Sequence, residues 1–330
     1  MKKAITAFAQ ATVLASVALA AFATTAHAAY PEHPIRIVMP YPPGGGGDLL
    51  LRTLQTSLSN RLGGQTLVID YKTGAAGNIG AADVAQAKPD GYTLLMAPTN
   101  NYVINQYLFP KMGFDPLKAF TPISLVVEQP YLLLIPGNTK ATDYASFAKL
   151  AKEQGKTMNY GSPGAGTVPH ISALMLSEHM GAGMTHVPYR GSHPALQSLA
   201  SGETQMFIAS YGIAAGQIQS GVVRPIAVAS QQRLPALPDV PTTKQAGIPD
   251  GIVLGNWWGL AAPAGTDPAI IEKLAKAVAE TVAEPEIQRK LIEQGSIPIA
   301  NTPKQFQQVL GEQAGTWKAI IEKTGVRIGD

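Results

Sequence analysis

The chain has 330 residues, no cysteine, and 25 basic against 22 acidic side chains. The missing cysteine excludes a disulfide framework, a thiolate metal site and the anchor of a bacterial lipoprotein. A net charge of +3 does not mark a nucleic-acid surface, and a chain of this length exceeds the usual single core, so two lobes are expected.

The N-terminus reads as a leader. Lys2 and Lys3 precede an apolar stretch from Ala11 to Ala23, and Ala26-His27-Ala28 is an A-x-A cleavage site. Residues 1–28 are therefore expected to be a signal peptide. A membrane anchor is the alternative, but a bilayer span needs roughly 20 apolar residues with strong flanks. Loss of the two lysines leaves 23 basic against 22 acidic side chains, a net charge of +1. The processed chain is expected to be soluble outside the cytoplasm, with no lipid attached.

Ile35 to Met39 has the apolar, β-branched composition of a strand buried on both faces. Leu50, Leu51, Leu54, Leu58 and Leu62 then recur at helical spacing, and Gly63-Gly64 closes that helix. Thr66 to Asp70 is the next strand, "GNIGAADVAQAK" an alanine-rich helix, and Tyr92 to Met96 a third strand. Such alternation predicts a parallel sheet. From Phe114 to Gly137 two strand-like runs follow in tandem, the pattern of a crossover between lobes.

A second alternating series begins there. Strands are predicted at Met158–Tyr160, Met184–Val187, Thr204–Ala209 and Pro225–Ala229, with helices at Thr167–Met180, Ala195–Ser201 and Ile213–Ser220. A proline-rich loop leads to the strand "LGNWWGLAAP". Helices from Pro268, Pro285 and Pro303 end the chain and are expected to return to the first lobe. Thr302-Pro303-Lys304-Gln305 is a capping box with proline at the first helical position.

"YPPGGGGDLLLR" (41–52) places four glycines at a helix start. The first N–H groups of a helix have no intrahelical partner and carry the positive end of its dipole, so a bare start binds anions. The same glycines would also make a tight turn with Asp48 as a cap. "NYGSPGAGTVPH" (159–170) repeats the arrangement in the second series. Two such starts suggest a pair of positive helix ends facing each other across a cleft.

Other motifs fail in detail. Neither glycine loop completes G-x-G-x-x-G, and Leu150 stands where a P-loop ending at Gly155-Lys156-Thr157 needs glycine. There is no G-x-S-x-G and no H-E-x-x-H. His33, His170, His179, His186 and His193 show no metal spacing and read as structural.

Tyr41 to Asp48 resembles the "P-[FY]-x-P-G-G-x-x-D" segment of the Bug family, the periplasmic solute receptors of tripartite tricarboxylate transporters. "GAAGNIGA", "PDGYTLL", "FTPISLV", "NYGSPGAGTVPH", "HVPYRG", "LPALPDVPT" and "WWGLAAPAGT" continue the likeness in order along the chain. The resemblance implies a two-lobed α/β type II periplasmic binding-protein fold, each lobe a mainly parallel sheet flanked by helices. Residues 29–128 and 255–330 would form one lobe, with 129–254 inserted as the other.

It further implies a non-enzymatic, monomeric receptor without cofactor, metal or nucleic acid. This receptor would capture a small di-, tri- or aromatic carboxylate and deliver it to a membrane permease. A sensory partner of a membrane kinase, or a periplasmic hydrolase or isomerase on the same scaffold, are the alternatives. By matching positions the first loop supplies Tyr41, Gly45, Gly46 and Asp48. The second supplies Ser162, Gly164, Ala165, Gly166, Thr167 and His170, and Thr99 and Asn100 would border the cleft.

Arg190 is the nearest cation, or else a solvated surface side chain. Ala209 and Ser210 fall where many members carry an acid just before, and its absence here speaks against an amino-acid ligand. Trp257, Trp258, Tyr41 and Tyr211 are candidates for a flat apolar wall, with packing in hinge and core as the alternative for the tryptophans.

Overall fold

The computed structural model describes residues 30–249, 251–252 and 255–328, so the leader expected at residues 1–28 lies outside the described part. The first lobe is built on β1 (Ile35–Met39), β2 (Leu67–Tyr71) and β3 (Thr93–Pro98), with β1 parallel to both neighbours. The two tandem runs of the crossover are one strand, β4 (Phe120–Pro136), 17 residues long. Its register slips at Pro122/Ser124, Leu125/Val127 and Leu133/Leu134. These slips let one strand serve two sheets that twist away from each other.

The second lobe repeats the parallel pattern. β5 (Asn159–Ser162) lies between β6 (Thr185–Pro188) and β7 (Met206–Ser210), parallel to both. β4 enters this sheet from Tyr131 onward, antiparallel to β7 and to β8 (Val223–Val228). β9 (Gly255–Pro263) returns the chain to the first lobe, antiparallel between β3 and β4. The short β10 (Ile297–Pro298) caps β4 at Val127 and Glu128. Each lobe therefore keeps its predicted parallel strands, and β4 and β9 make the whole sheet mixed.

Nine helices of eight residues or more occur among the described residues. They are α1 (Gly46–Arg61), α2 (Asn78–Ala85), α3 (Tyr144–Gln154), α4 (Val168–His179), α5 (Ser192–Ser201), α6 (Tyr211–Gln219), α7 (Pro268–Val282), α8 (Pro285–Glu293) and α9 (Pro303–Thr324). In β1, Ile35, Ile37 and Met39 face α1 and α7, whereas Val38 faces α2 and α9. That period of two is why the strand reads as uniformly apolar. Leu50, Leu51, Leu54 and Leu58 of α1 are buried against the first face, each contributing about 1.5–3 kcal/mol.

The C-terminal helices return to the first lobe as expected. α7 packs on α1 and β4, and α9 packs on β4, with its capping box formed by Thr302 and Gln305. Gly155–Thr157 is a 3-10 turn closing α3, not a phosphate loop. Arg36, between Asp70 and Asp83, ties β1 to β2 and α2.

Candidate functional site

A cleft with a volume of about 130 Å³ lies between the lobes. Its first-lobe wall is the start of α1. Gly44 adopts φ +82°, a left-handed turn that glycine accommodates without strain. Gly45 is the N-cap, and Gly46 and Gly47 open the helix. The reason for bare backbone differs along this run. A Cβ on Gly46 would lie 2.7 Å from Gln129 Oε1, and one on Gly47 would lie 2.2 Å from the Trp258 ring. Gln129 and Trp258 come from β4 and β9, so these two glycines let α1 settle onto the crossing strands.

Asp48 lines the cleft, and its carboxylate already accepts from three donors. It accepts from Gly44 N–H at 2.8 Å, from Arg52 Nε at 2.9 Å and from the Tyr71 hydroxyl. Burial would raise its pKa, yet Tyr71, Gly44 and Arg52 together hold it below the ordinary carboxylate value. Asp48 locks the glycine turn, and its charge is already paired with Arg52.

Trp257 and Trp258 are neighbours on β9 and so point to opposite faces. Trp257 stacks on Tyr102 and meets Phe306 edge-on in the core. Trp258 lines the cleft, edge-on to Tyr41 at 6.1 Å between ring centroids. The Tyr41 hydroxyl donates to Ala76 O. Tyr211 packs in the second lobe under Gly295 and is not part of the cleft lining.

The second glycine loop behaves differently from the first. The Ser162 hydroxyl is shared between His186 Nε2, at 2.7 Å, and Gly164 O. Gly166 N–H donates to His170 Nδ1 at 3.1 Å, and Val168 N–H to Asn100 Oδ1 at 3.2 Å. Pro169 has no N–H to offer. The N–H groups of Gly166 and Val168 at the start of α4 are thus already taken, and Thr167 and Pro169 are the helix's contribution to the cleft wall. Ser162, Gly164, Ala165, Gly166 and His170 are not among the residues lining this cleft. Thr99 does not line it either, and its N–H and hydroxyl both donate to Asn256 Oδ1.

Two other helix starts take the place expected for α4. α5 begins at Ser192, three positions ahead of its predicted first residue, so Gly191, Ser192 and His193 reach the cleft beside Arg190. Arg190 is exposed at the mouth. α6 is capped by Ser210, whose buried hydroxyl makes no hydrogen bond, either to its own helix or elsewhere. Ala209 precedes it along the same wall.

Sequence reasoning missed Gln129, Tyr131 and Asn256. They are polar or amphipathic residues where the crossing strands pass between the lobes, and only that topology brings them to the cleft. The tandem strand pattern around "VVEQPY" was the available signal. Asn100 does border the cleft, and its amide also donates to Gly166 O at 2.7 Å, bridging the lobes.

His170 and His186 stack at 3.9 Å between ring centroids. Burial, with a smaller contribution from His186, pushes His170 down to about 3, and burial pushes His186 down to about 4. Both are neutral packing groups. No cluster of metal-ligating side chains occurs among the described residues, and no helix among them is long and apolar enough to cross a membrane.

Residues 50–326 match the tripartite tricarboxylate transporter family receptor profile. The chain is 29% identical over 300 residues to protein BugT of Bordetella pertussis, covering 91% of each chain. Among solved structures it is 31% identical to MatC of Rhodopseudomonas palustris with bound malate, with a TM-score of 0.81 and coverage of 88% of this chain and 100% of that one. It is 30% identical to R. palustris Rpa4515 with adipate, with a TM-score of 0.85 and coverage of 90% and 98%. These are substrate-binding receptors rather than enzymes. The interlobe cleft and this likeness along most of the chain agree: the protein belongs to the tripartite tricarboxylate transporter receptor family of periplasmic solute-binding proteins.

Proposed function

We propose that the chain is an extracytoplasmic receptor that captures a small carboxylate between its lobes and delivers it, as a monomer, to a tripartite tricarboxylate-type permease. The observation that carries this reading is the convergence of the α1, α5 and α6 starts on one interlobe cleft. The malate and adipate bound by two relatives support the ligand class. The lobes are 29–128 with 255–330, and 129–254, hinged where β4 and β9 cross between them.

A helix end contributes only about 0.3–1 kcal/mol to a nearby charge, or about 2 when partly buried. Micromolar affinity needs about 8 kcal/mol. Charge-assisted hydrogen bonds of about 1.5–3 kcal/mol each provide the remainder. The contacts assigned to the carboxylates are the N–H groups at Gly45–Gly47 and at Ser192–His193, with Tyr41 and Trp258 as the wall and Arg190 at the mouth. Asp48 and Thr167 act by holding the helix starts in place.

Calorimetric titration of the processed chain tests this. Carboxylates are compared with their neutral amides, for example succinate with succinamide. Heat of binding from at least one carboxylate, and none from its amide, is the expected result. Silence across a broad panel of mono-, di- and tricarboxylates overturns the reading. Uptake of the labelled carboxylate by cells carrying the permease, lost when this chain is deleted, tests the delivery step.

A further inference from the structure

Hydrogen-bond direction in the cleft is fixed by groups that can only donate. The Trp258 indole N–H has no acceptor capacity, and it donates to Gln129 Oε1 at 3.1 Å. That bond sets the orientation of the Gln129 amide, which leaves its Nε2 hydrogens for the cleft beside Gly46. Thr99 N–H, also a pure donor, and the Thr99 hydroxyl fix Asn256 Oδ1 in the same way. Tyr131 lines the cleft, and burial holds its hydroxyl protonated, so it carries an O–H there.

Ser210 completes the pattern. It pairs with Tyr131 across β4 and β7, lines the cleft, is 1% exposed, and its hydroxyl has no partner. A buried hydroxyl left unsatisfied costs about 1–3 kcal/mol, so an acceptor that reaches it gains that much. Donors therefore sit at two poles. One is Gly45–Gly47 with Gln129 in the first lobe, and the other is Tyr131 with Ser210 in the second. Between them lie Trp258, Tyr41, Ile208 and Ile213. Asp48, the acid in the cleft lining, already accepts from three donors, and its charge is paired with Arg52.

The volume limits what fits between the poles. At about 130 Å³, the cleft is close to the roughly 150 Å³ that encloses one benzene ring in a protein core. We propose that the ligand is a compact dianion with a body of about four carbons, hydrogen-bond acceptors at both ends and no ammonium group, its far carboxylate read by Ser210 and Tyr131. This deepens the carboxylate-receptor reading and rests on it.

The test is a calorimetric panel of succinate, butyrate, aspartate, adipate and citrate on the wild type, Ser210→Ala and Gln129→Glu. Succinate binds at least about tenfold more tightly than butyrate, which lacks the second acceptor, and than aspartate, whose ammonium meets no acid in the lining except Asp48, already paired with Arg52. Adipate and citrate bind more weakly than succinate. Ser210→Ala lowers succinate affinity about tenfold and leaves butyrate within about twofold. Gln129→Glu keeps size and the Trp258 bond but faces the anion with an acceptor, and weakens succinate by more than about tenfold.

Aspartate or citrate binding as tightly as succinate overturns the proposal. So does a Ser210→Ala effect equal for succinate and butyrate. Both of those outcomes leave the carboxylate receptor standing. Absence of binding by every acid, butyrate included, removes that broader reading instead.

Discussion

The four glycines at 44–47 look equivalent in sequence, and the structure gives them three roles. Gly44 makes the left-handed turn, Gly45 is the open N-cap, and Gly46 and Gly47 admit the side chains of Gln129 and Trp258. Gly47→Ala is therefore expected to push Trp258 off its seat, destabilising the fold by about 1–3 kcal/mol and weakening ligand binding with it. Gly45→Ala, whose Cβ would find nothing nearer than Pro42 O at 3.6 Å, is expected to lose less than about 1 kcal/mol. Denaturant titration of the two variants checks the contrast, and equal losses would refute it. The glycine-rich helix start at 45–48 was legible because helix-end physics is local. The packing role of Gly46 and Gly47 was not, since it depends on residues that only the strand crossing brings near.

At the scale of elements, two loops with the same glycine pattern have diverged. The α1 start faces the cleft. The α4 start is filled by its own His170 and by Asn100, while α5 and α6 supply the second-lobe starts instead. Periodicity placed most of the long helices to within a few residues, but α3 (Tyr144–Gln154) was missed and α5 was placed three residues short, which hid its site contribution. The histidine stack behind α4 has a pH consequence. An unfolded histidine titrates near pH 6.5, whereas in the fold His170 and His186 lie at about 3 and about 4. Below about pH 6.5 the unfolded chain binds protons that the folded chain refuses, so stability falls as pH drops toward 4. Melting temperature should therefore decline from pH 7 to pH 5, above the range where paired carboxylates titrate. His186→Gln, which can keep the bond to Ser162, should make that decline shallower. An unchanged slope in the variant would show that the stack carries no linkage.

For the whole molecule, β4 is the only strand among the described residues that pairs in both sheets, and β9 starts beside its midpoint, Gly255 opposite Pro130, so the lobes are coupled through one narrow crossing region. Closure is then decided by contacts at the cleft rim. Pro42 approaches Gly191 closely enough that a Cβ there would lie 3.2 Å from Pro42 Cγ, and Gly44 faces the His193 ring in the same way. Asn100 adds the polar clasp, accepting from Val168 N–H and donating to Gly166 O while 3% exposed. Those bonds form only when the lobes are together, so they weight the closed state whether or not an anion is present. Asn100→Ala removes both and leaves two buried backbone groups unpaired, each worth about 1–3 kcal/mol. The ligand-free variant should open, read as a larger radius of gyration by small-angle X-ray scattering than the ligand-free wild type. Its ligand should dissociate about tenfold faster or more, because the competent closed state is less populated. If Asn100 served only as a ligand contact, the ligand-free scattering curves would coincide and only the dissociation rate would change. That difference separates a clasp built into the lobes from one more hydrogen bond to the anion.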